Sequence, residues 1–442
     1  MPVNNILQNV ETYQDNVMAW LLNSFCFINR ANKKFKDFNS LTANLGETVS
    51  WKLPPRGTVT AGLVASFQGS QQRVQSLTCA SAMNYAYQFS AQEFIFNVKN
   101  DLPNFSMAAA KELGTKVESH IAKSINSTMT YNDPDPDNVL FGQYVPNSGP
   151  YRFYGDGEID LTSYEQLSDA LYAFEEIGFS PSGLRGFLPL NKISRIVGTG
   201  LNQFAIDRNN RDAMSWMVGE FQGCEWDKSN LMPTHIAGSI GRNSTSSNRV
   251  MTVLSTNDPT GQNVTEITVT EPTGSTSIDA INVGDLFQFE DGVSGFQNMR
   301  AMTFIGHELT SLPVQMVATA ASSSTAGTLT LNIRTNTDTG LVSAATRNQN
   351  INQPIQAGMK IRVMPSHKCG LIMSGNPFYL AMPQLPEEDP FTTYSRVDPD
   401  SGAAIRTYYG SLFGQNKRGI VNDTMFGASL VPENCQRLLF TI

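Results

Sequence analysis

Two side chains near the C-terminal end of the chain have types that could act in catalysis. His367 and Cys369 lie two residues apart, which on a strand places both on one face. A thiol beside an imidazole can form a nucleophile–base pair, so a hydrolase is one interpretation. Such a pair needs a third group to orient the base, and the sequence shows none nearby. We therefore favour an incidental pair over a catalytic one.

An acidic run after residue 130 resembles part of a calcium site, because aspartate alternates with proline over Asp133–Asp137. A twelve-residue calcium loop requires glycine at its sixth position and glutamate at its twelfth, where this chain has Asn138 and Tyr144. The prolines also remove backbone donors that such a loop uses. We predict a solvated turn, and we interpret the charge run Glu387–Asp389 in the same way.

The remaining metal-binding and redox-active residue types are scattered. No histidine has metal-ligand spacing to another histidine, a cysteine or a carboxylate. The odd number of widely spaced cysteines is typical of buried free thiols in a reducing compartment. No phosphate-binding loop, dinucleotide fingerprint or nucleophile elbow is present, so no cofactor is predicted. The cysteines are Cys26, Cys79, Cys224, Cys369 and Cys435.

Composition argues against extensive direct contact with DNA. Charged residues make up 16% of the 442 residues, and the formal net charge is −8. Proteins that neutralise phosphate usually carry net positive charge. A container that encloses DNA without binding it specifically remains compatible with this composition. No signal peptide and no apolar run of membrane-spanning length are recognisable, and the length is typical of about three domains.

The element that would organise the chain is a long amphipathic helix over Asn104–Met129. Leu113, Val117, Ile121 and Ile125 recur every four residues and form one helical face. Pro103 precedes this segment. A helix over the whole segment would be roughly 35–40 Å long. Because the flanking sequence has strand-like patterns, the helix is interpreted either as a structural spine or as a surface helix over a sheet.

The segments before the helix predict apolar faces without partners of their own. Residues 1–45 form a helical arm whose apolar face must pack on the rest of the chain or on another subunit. Residues 46–100 form a long β excursion with alternating apolar residues. A thin hairpin buries little of its own surface. We therefore predict that it lies on a neighbouring subunit. The candidate subunit-interface residues are Leu21, Phe25, Trp51, Leu63, Phe67 and, from a later loop, Asp258.

After the helix, residues 151–240 have an α/β pattern, in which Ser163 and Gln166 form a capping box. Residues 241–365 are rich in Gly, Ser, Thr and Asn and contain recurring short strands, which predicts an inserted antiparallel β-barrel or sandwich. The α/β pattern resumes over 366–442. The predicted barrel strands are 249–254, 264–270, 285–289, 301–305, 314–318 and 328–333.

This order of elements resembles the HK-97-type major capsid (coat) proteins of tailed bacteriophages, in particular the P-22-type branch with an inserted barrel. Three stretches carry the resemblance. Val218 to Gly238 resembles the segment before the barrel, and Val283 to Phe289 resembles a strand entry within it. Asp423 to Gly427, followed by Pro432, Glu433 and Leu438, resembles the closing pattern of an Asp-led strand, a Gly turn and a last strand.

The resemblance implies an α+β fold with an N-terminal arm over 1–45, an extended β loop over 46–100 and a peripheral domain with the spine helix over 101–150. An axial domain would begin over 151–240 and be interrupted by the barrel over 241–365, and residues 366–442 would return to the axial and peripheral domains. It further implies self-assembly as hexamers and pentamers into an icosahedral virion shell around double-stranded DNA, formed in the host cytoplasm, without a membrane. A scaffolding protein and a portal would be partners, and a decoration protein is a further candidate.

Other classes of protein remain as alternatives. A tail, baseplate or adhesin protein could use the barrel for binding, although an adhesin needs neither the long helix nor the excursion. A hydrolase using Cys369 and His367 is the enzymatic alternative. In the related branch a charged loop of the inserted domain joins neighbouring capsomers, but the loop around Asp258 is short and lightly charged.

Overall fold

The computed structural model describes residues 17, 27–28, 31, 48–59, 73–79, 81–90, 99–126, 149–179, 183–200, 219–243, 245–272, 280–325, 327–335, 340–387, 392–397, 402–412 and 417–442. The predicted interface residues Leu21, Phe25, Leu63 and Phe67 lie outside these residues, and so does the acidic run Asp133–Asp137.

Strands dominate the described chain, and its three longest helices all precede the barrel. In chain order the first elements are β1 (Thr48–Leu53), β2 (Arg73–Thr78), β3 (Ser81–Ser90), α1 (Lys99–Lys123), β4 (Phe153–Tyr154), α2 (Tyr164–Glu175), β5 (Leu184–Pro189), α3 (Leu190–Gly200), β6 (Gly219–Phe221), β7 (Cys224–Ser229) and β8 (Thr234–His235).

The middle elements are a short 3-10 helix (Ser246–Arg249), β9 (Val250–Thr256), β10 (Asn263–Val264), β11 (Glu266–Thr270), β12 (Ala280–Ile281), β13 (Leu286–Phe289), β14 (Arg300–Met302), β15 (Leu309–Pro313), β16 (Gln315–Ala318), β17 (Ser322–Ser323), β18 (Thr328–Arg334), β19 (Leu341–Val342) and β20 (Lys360–Val363). The last elements are β21 (His367–Ser374), β22 (Phe378–Ala381), β23 (Thr392–Val397), β24 (Ala404–Leu412), β25 (Lys417–Leu430), a 3-10 helix (Pro432–Asn434) and β26 (Cys435–Phe440).

Helix α1 confirms the predicted helix but not its bounds. It begins at Lys99 rather than Asn104, because a proline at position 103 is so near the N-terminus that few intrahelical bonds are lost. It ends at Lys123, and a tighter turn continues to Asn126. The predicted apolar face is buried, with Leu113, Val117, Ile121 and Ile125 all at most 3% exposed. This face packs against an antiparallel sheet in the order β22-β25-β24-β23, with β3 also paired to β25.

Glu118 of α1 is buried although its side chain is charged. It is 2% exposed, and its two carboxylate oxygens accept hydrogen bonds from the backbone N–H groups of Phe27 at 2.7 Å and Ile28 at 2.9 Å. Phe27 also packs 4.6 Å from the ring of Phe187. The part of the arm that the structure describes therefore packs on its own subunit.

The base of the predicted excursion is an antiparallel hairpin of β1 and β2, in register from Thr48 with Thr78 to Leu53 with Arg73. We predicted that the excursion lacks partners within its own chain, and for this base the prediction is wrong. Leu53 and Leu77 are buried, and the Trp51 ring stacks on Tyr379 of β22 at 4.2 Å.

A second sheet has the order β4-β26-β21-β5-β7-β6, with β8 also paired to β21. Helix α2 begins with the predicted capping box, in which Ser163 and Gln166 exchange hydrogen bonds. Gly186 of β5 lies directly under the Trp226 ring, where an added Cβ atom would be 2.1 Å from Trp226 Cε3. Only glycine fits at this position.

We expect Gly186→Ala to lower the free energy of unfolding by about 1–3 kcal/mol, because overpacking forces Trp226 or the strand to move. The matched control is Gly419→Ala on β25, where an added Cβ atom would meet Tyr87 O at an ordinary 3.7 Å. Urea unfolding monitored by tryptophan fluorescence measures both variants. Equal midpoints for the two would contradict this assignment.

The middle elements form a closed antiparallel barrel in the order β11-β18-β16-β13-β20-β9. Five of the six predicted strands correspond to barrel strands. The sixth prediction, 301–305, is wrong, because β14 spans only Arg300–Met302 and pairs with β15 outside the barrel. The barrel is closed instead by β20, a short strand that the sequence analysis did not identify.

The C-terminal segment corrects one further prediction. We expected a glycine turn at Gly427, but β25 runs without interruption through Lys417–Leu430, and Gly427 pairs with Ala381. The turn comes later, at the 3-10 helix Pro432–Asn434. The last strand, β26, lies inside the second sheet between β4 and β21.

Candidate functional site

The junction between the barrel and the second sheet is built on two histidines. The chain leaves this sheet at His235 and re-enters it at His367, and the two residues pair across β8 and β21. Their rings lie 5.2 Å apart. His235 Nε2 lies 2.7 Å from Asp285 Oδ1, and all three side chains are fully buried. A single acidic residue next to barrel strand β13 therefore joins the two parts.

Asp285 also organises the backbone at this junction. Its Oδ2 atom accepts hydrogen bonds from the N–H groups of Gly238 at 3.1 Å and Asn282 at 2.8 Å. On the sheet side, the fully buried Arg437 donates through Nη1 to the Gly284 carbonyl at 3.5 Å. Charge-assisted hydrogen bonds thus fasten the start of the barrel segment, and Arg437 adds one to the backbone beside Asp285.

His367 is held neutral by its surroundings. Burial lowers the pKa of His367 well below its ordinary value of 6.5, and the nearby His235 and Arg437 lower it further. Its Nδ1–H group donates to the Pro365 carbonyl at 2.8 Å. A neutral, buried imidazole in this position fixes the chain where it returns from the barrel.

The same burial removes the basis for a nucleophile–base pair. Cys369 is fully buried, and burial raises the pKa of its thiol to about 11. The thiol is therefore protonated at neutral pH, and thiols react as thiolates. His367 is equally buried. The geometry assigns both residues to the interior of the sheet.

We expect the four described cysteines to resist alkylation in the native protein. Cys79, Cys224, Cys369 and Cys435 are all buried, and burial raises the pKa of each thiol, to about 12 for Cys79. Peptide mapping after iodoacetamide treatment at pH 7.5 should find these four unmodified, and modified once urea unfolds the chain. Rapid native labelling of Cys369 would contradict this and would reopen the hydrolase interpretation.

Neither a metal centre nor a membrane segment is identified within the described residues. No group of three His, Cys, Asp or Glu side chains there could hold a metal ion. None of the described helices combines the length and the apolarity needed to cross a bilayer.

A second buried ionic cluster fastens the base of the hairpin. The carboxylate of Glu433, in the turn before β26, pairs with Arg73 of β2 and lies 3.1 Å from Arg56 beyond β1. All three side chains are at most 10% exposed. Beside them Gln75 donates through Nε2 to Ser429 Oγ at 3.0 Å and to the Leu430 carbonyl at 2.9 Å. The hairpin is therefore bound to its own subunit at one end.

The β14–β15 hairpin contacts the end of helix α2. The Phe304 N–H group donates to the Ile177 carbonyl at 3.2 Å, and Ser311 donates through its N–H and Oγ groups to the Glu176 carboxylate. The guanidinium of Arg152 lies 4.2 Å and that of Arg56 4.9 Å from the centre of the Phe304 ring. Hairpin base, second sheet and barrel thus meet at Phe304.

The described interface candidates lie in different surroundings. Trp51 is partly buried against Tyr379 of its own chain. The Asp258 carboxylate accepts hydrogen bonds within its own loop from Thr260, Gln262 and Asn263, and the bonds from Thr260 contribute most to lowering the pKa of this carboxyl. The contact of either residue with a neighbouring subunit stays a prediction.

Comparison with known proteins gives structural neighbours only. The chain resembles phage capsid structures. A solved structure described as Mycobacterium phage Che8 is 9% identical, with 94% of this chain and 91% of that chain covered and a TM-score of 0.42. The capsid structure of the cyanophage P-SCSP1u is 10% identical, with 93% and 89% covered and a TM-score of 0.40. The capsid of Ralstonia phage GP4 is 5% identical, with 92% and 84% covered and a TM-score of 0.40.

No protein-family model and no curated protein matches the sequence.

Sequence reasoning did not identify the two buried ionic clusters. In the sequence Asp285 and Glu433 are recognisable only as parts of longer patterns. One feature of the sequence could have indicated these clusters. Asp285 and Glu433 are charged residues inside or beside apolar strands, in a chain with few charges. Their partners lie 50 or more positions away, so the pairing itself could not be inferred.

Proposed function

We propose that this chain is the major capsid protein of a tailed phage and self-assembles into an icosahedral shell around packaged double-stranded DNA. The observation that carries the proposal is a β hairpin fastened at its base by Glu433, Arg56 and Arg73. Just beyond this base Val59 is 95% exposed, and Leu63 and Phe67 follow at alternating positions in the sequence. A neighbouring subunit would bury these apolar side chains.

The arrangement around the hairpin supports an HK-97-type fold with an inserted barrel. A 25-residue helix follows the hairpin and packs on a sheet that contains a 14-residue strand. The barrel strands lie between His235 and His367, which are neighbours in one sheet. In this proposal the first sheet with α1 is the peripheral domain, the second sheet is the axial domain, and the barrel stabilises the subunit.

The partners in this proposal follow from shell assembly. Copies of the chain form hexamers and pentamers, a scaffolding protein directs their assembly in the host cytoplasm, and a portal occupies one vertex. A net charge of −8 and 16% charged residues suit a lumen that encloses DNA without binding it tightly.

Electron microscopy tests the proposal. The full chain, expressed with and without a scaffolding protein, should form closed shells or polyheads. Val59→Asp should prevent assembly without changing the thermal stability of the subunit, because a charge at an apolar contact must be desolvated. The matched control, Val59→Thr, keeps the shape without the charge and should still assemble. Persistent monodisperse monomer, or fibres and tail-like tubes instead of shells, would contradict the proposal.

A further inference from the structure

A partly open cavity of about 250 Å³ lies where the barrel, the β14–β15 hairpin and helix α2 meet. Its walls come from β4 of the second sheet, from α2, from the hairpin and from barrel strands β13 and β16. An apolar cavity of about 150 Å³ is already large enough to hold benzene, so the volume is sufficient for one small organic molecule. Most of the lining residues are apolar or aromatic, and they include Phe153, Ala173, Ile177, Met302, Phe304 and Leu312.

The amide side chains on the barrel side of the cavity are already hydrogen-bonded within the protein. Gln315 accepts from the Phe153 N–H group at 2.9 Å, and it donates to the Phe153 carbonyl at 2.9 Å and to Gln288 at 3.3 Å. Asn350 donates to Thr335 Oγ1 at 2.8 Å, and its Oδ1 atom accepts from a backbone N–H group at 2.7 Å. A buried water needs about two to four polar partners. Because these amides are engaged elsewhere, the cavity offers water little to bind.

Arg152 belongs to the cavity wall, but its guanidinium group is packed among aromatic rings. The centres of the Phe304, Phe179 and Tyr151 rings lie 4.2, 5.2 and 5.3 Å from Arg152 Cζ. Arg152 Nη1 and Gln436 Oε1 have no hydrogen-bond partner, but both atoms are inaccessible to solvent and do not open into the cavity. A carboxylate in the cavity would have to lose its hydration, and the guanidinium is not free to replace it. The wall therefore disfavours a charged ligand.

We propose that the cavity binds one small uncharged aromatic or hydrocarbon molecule, and that the bound molecule strengthens the junction between the barrel and α2. Apolar walls favour this class of ligand, because the hydrophobic effect drives its transfer from water. Met302 supplies a thioether and Phe304 supplies a ring, and both groups contact aromatic molecules favourably. Because opposite walls belong to different parts of the subunit, a molecule that contacts both stabilises the arrangement in which they meet.

This inference does not depend on shell assembly and is tested on the full-length subunit. Benzene is the probe, and benzoate is the same ring with a negative charge. In calorimetric titration benzene should bind saturably and at least tenfold more tightly than benzoate, and saturating benzene should raise the midpoint of thermal unfolding. Equal or tighter binding of benzoate, or no saturable binding of benzene, would overturn the proposal.

Variants locate the site. Ala173→Met, which fills the cavity from α2, should lose at least tenfold in benzene affinity. Leu312→Phe, which fills the cavity from β15, should lose as much, and it serves if Ala173→Met does not fold. The matched control is Tyr172→Met on the same helix, where the side chain is 62% exposed, and this variant should keep the wild-type affinity. Unchanged benzene affinity in the folded filling variants would contradict the assigned site.

Two further measurements test where the molecule lies and what it does. A crystal structure under xenon pressure should show xenon beside Met302 and Phe304, and ordered water filling the cavity instead would overturn the proposal. The Phe304 N–H group donates to the Ile177 carbonyl at 3.2 Å across the junction, so its hydrogen exchange should slow when benzene is bound. An unchanged exchange rate would show that the bound molecule does not strengthen the junction.

Discussion

Glu433→Ala is expected to destabilise the subunit by about 3–5 kcal/mol, which is typical for removing one partner of a buried ion pair. The reason is local: Arg56 and Arg73 are at most 10% exposed, and the substitution deprives both of their shared carboxylate. Chemical unfolding at pH 7.5 measures the loss. Because the same carboxylate fastens the hairpin base, shells observed by electron microscopy should be fewer or absent.

The matched control is Glu225→Ala in β7. Its carboxylate lies 3.5 Å from Arg185 Nε, but it is 57% exposed, and exposed pairs contribute about 0–1 kcal/mol. A stability loss of similar size for both variants would show that the Glu433 cluster is not specially important. Glu433→Ala subunits that keep their stability yet fail to assemble would instead place Glu433 at a contact between subunits.

Local patterns in the sequence predicted the elements that depend on near neighbours. The four-residue repeat of α1 and the Ser163–Gln166 box each involve residues within one or two helical turns, so their physical cause is visible in the sequence. Alternation similarly identified five barrel strands. It missed β20, because Lys360–Val363 is only four residues long and gives too few alternations to recognise.

Long-range partners were beyond the reach of the same reasoning. The arm and the hairpin base looked unpartnered because their partners, Glu118, Tyr379 and Glu433, are distant in sequence. The prediction of a turn at Gly427 was wrong for a related reason: Gly427 pairs with Ala381 of β22, a residue distant in sequence, and this pairing holds the glycine in an extended conformation.

Three buried carboxylates lie where one part of the chain meets another. Asp285 joins barrel and second sheet, Glu433 joins hairpin and second sheet, and Glu118 joins arm and α1. The parts of the subunit that these carboxylates join each contribute to apolar clusters of buried side chains. Buried polar contacts specify geometry because any other arrangement leaves a group unsatisfied. Three subunit parts are thus held in defined positions by three carboxylates.

Acid is expected to destabilise the subunit through two histidines that are neutral in the folded state. Burial, together with Lys123, lowers the pKa of His120 from 6.5 to about 4. Burial, with His235 and Arg437, lowers that of His367 well below 6.5. As the pH falls below 6.5, these two histidines bind protons in the unfolded chain but not yet in the folded chain. The free energy of unfolding, which is highest above pH 6.5, therefore decreases progressively until the pH reaches the pKa values of the two histidines in the folded state.

At pH 5 the His120 contribution amounts to about 2 kcal/mol, since one pKa unit corresponds to about 1.4 kcal/mol. The His367 contribution has the same sign and adds to it. Free energies of unfolding measured from pH 7.5 to 5 should therefore fall steeply in the wild-type chain. The slope of this free energy against pH gives the number of protons taken up on unfolding, and each of His120→Gln and His367→Gln should lower that number by about one. His367 lies where the chain returns from the barrel. At pH 5 the His367→Gln variant should therefore also keep the Gly238 and Asn282 amides, which donate to Asp285, protected from hydrogen exchange. Identical slopes in the variants and the wild type would show that neither ring is held neutral by burial.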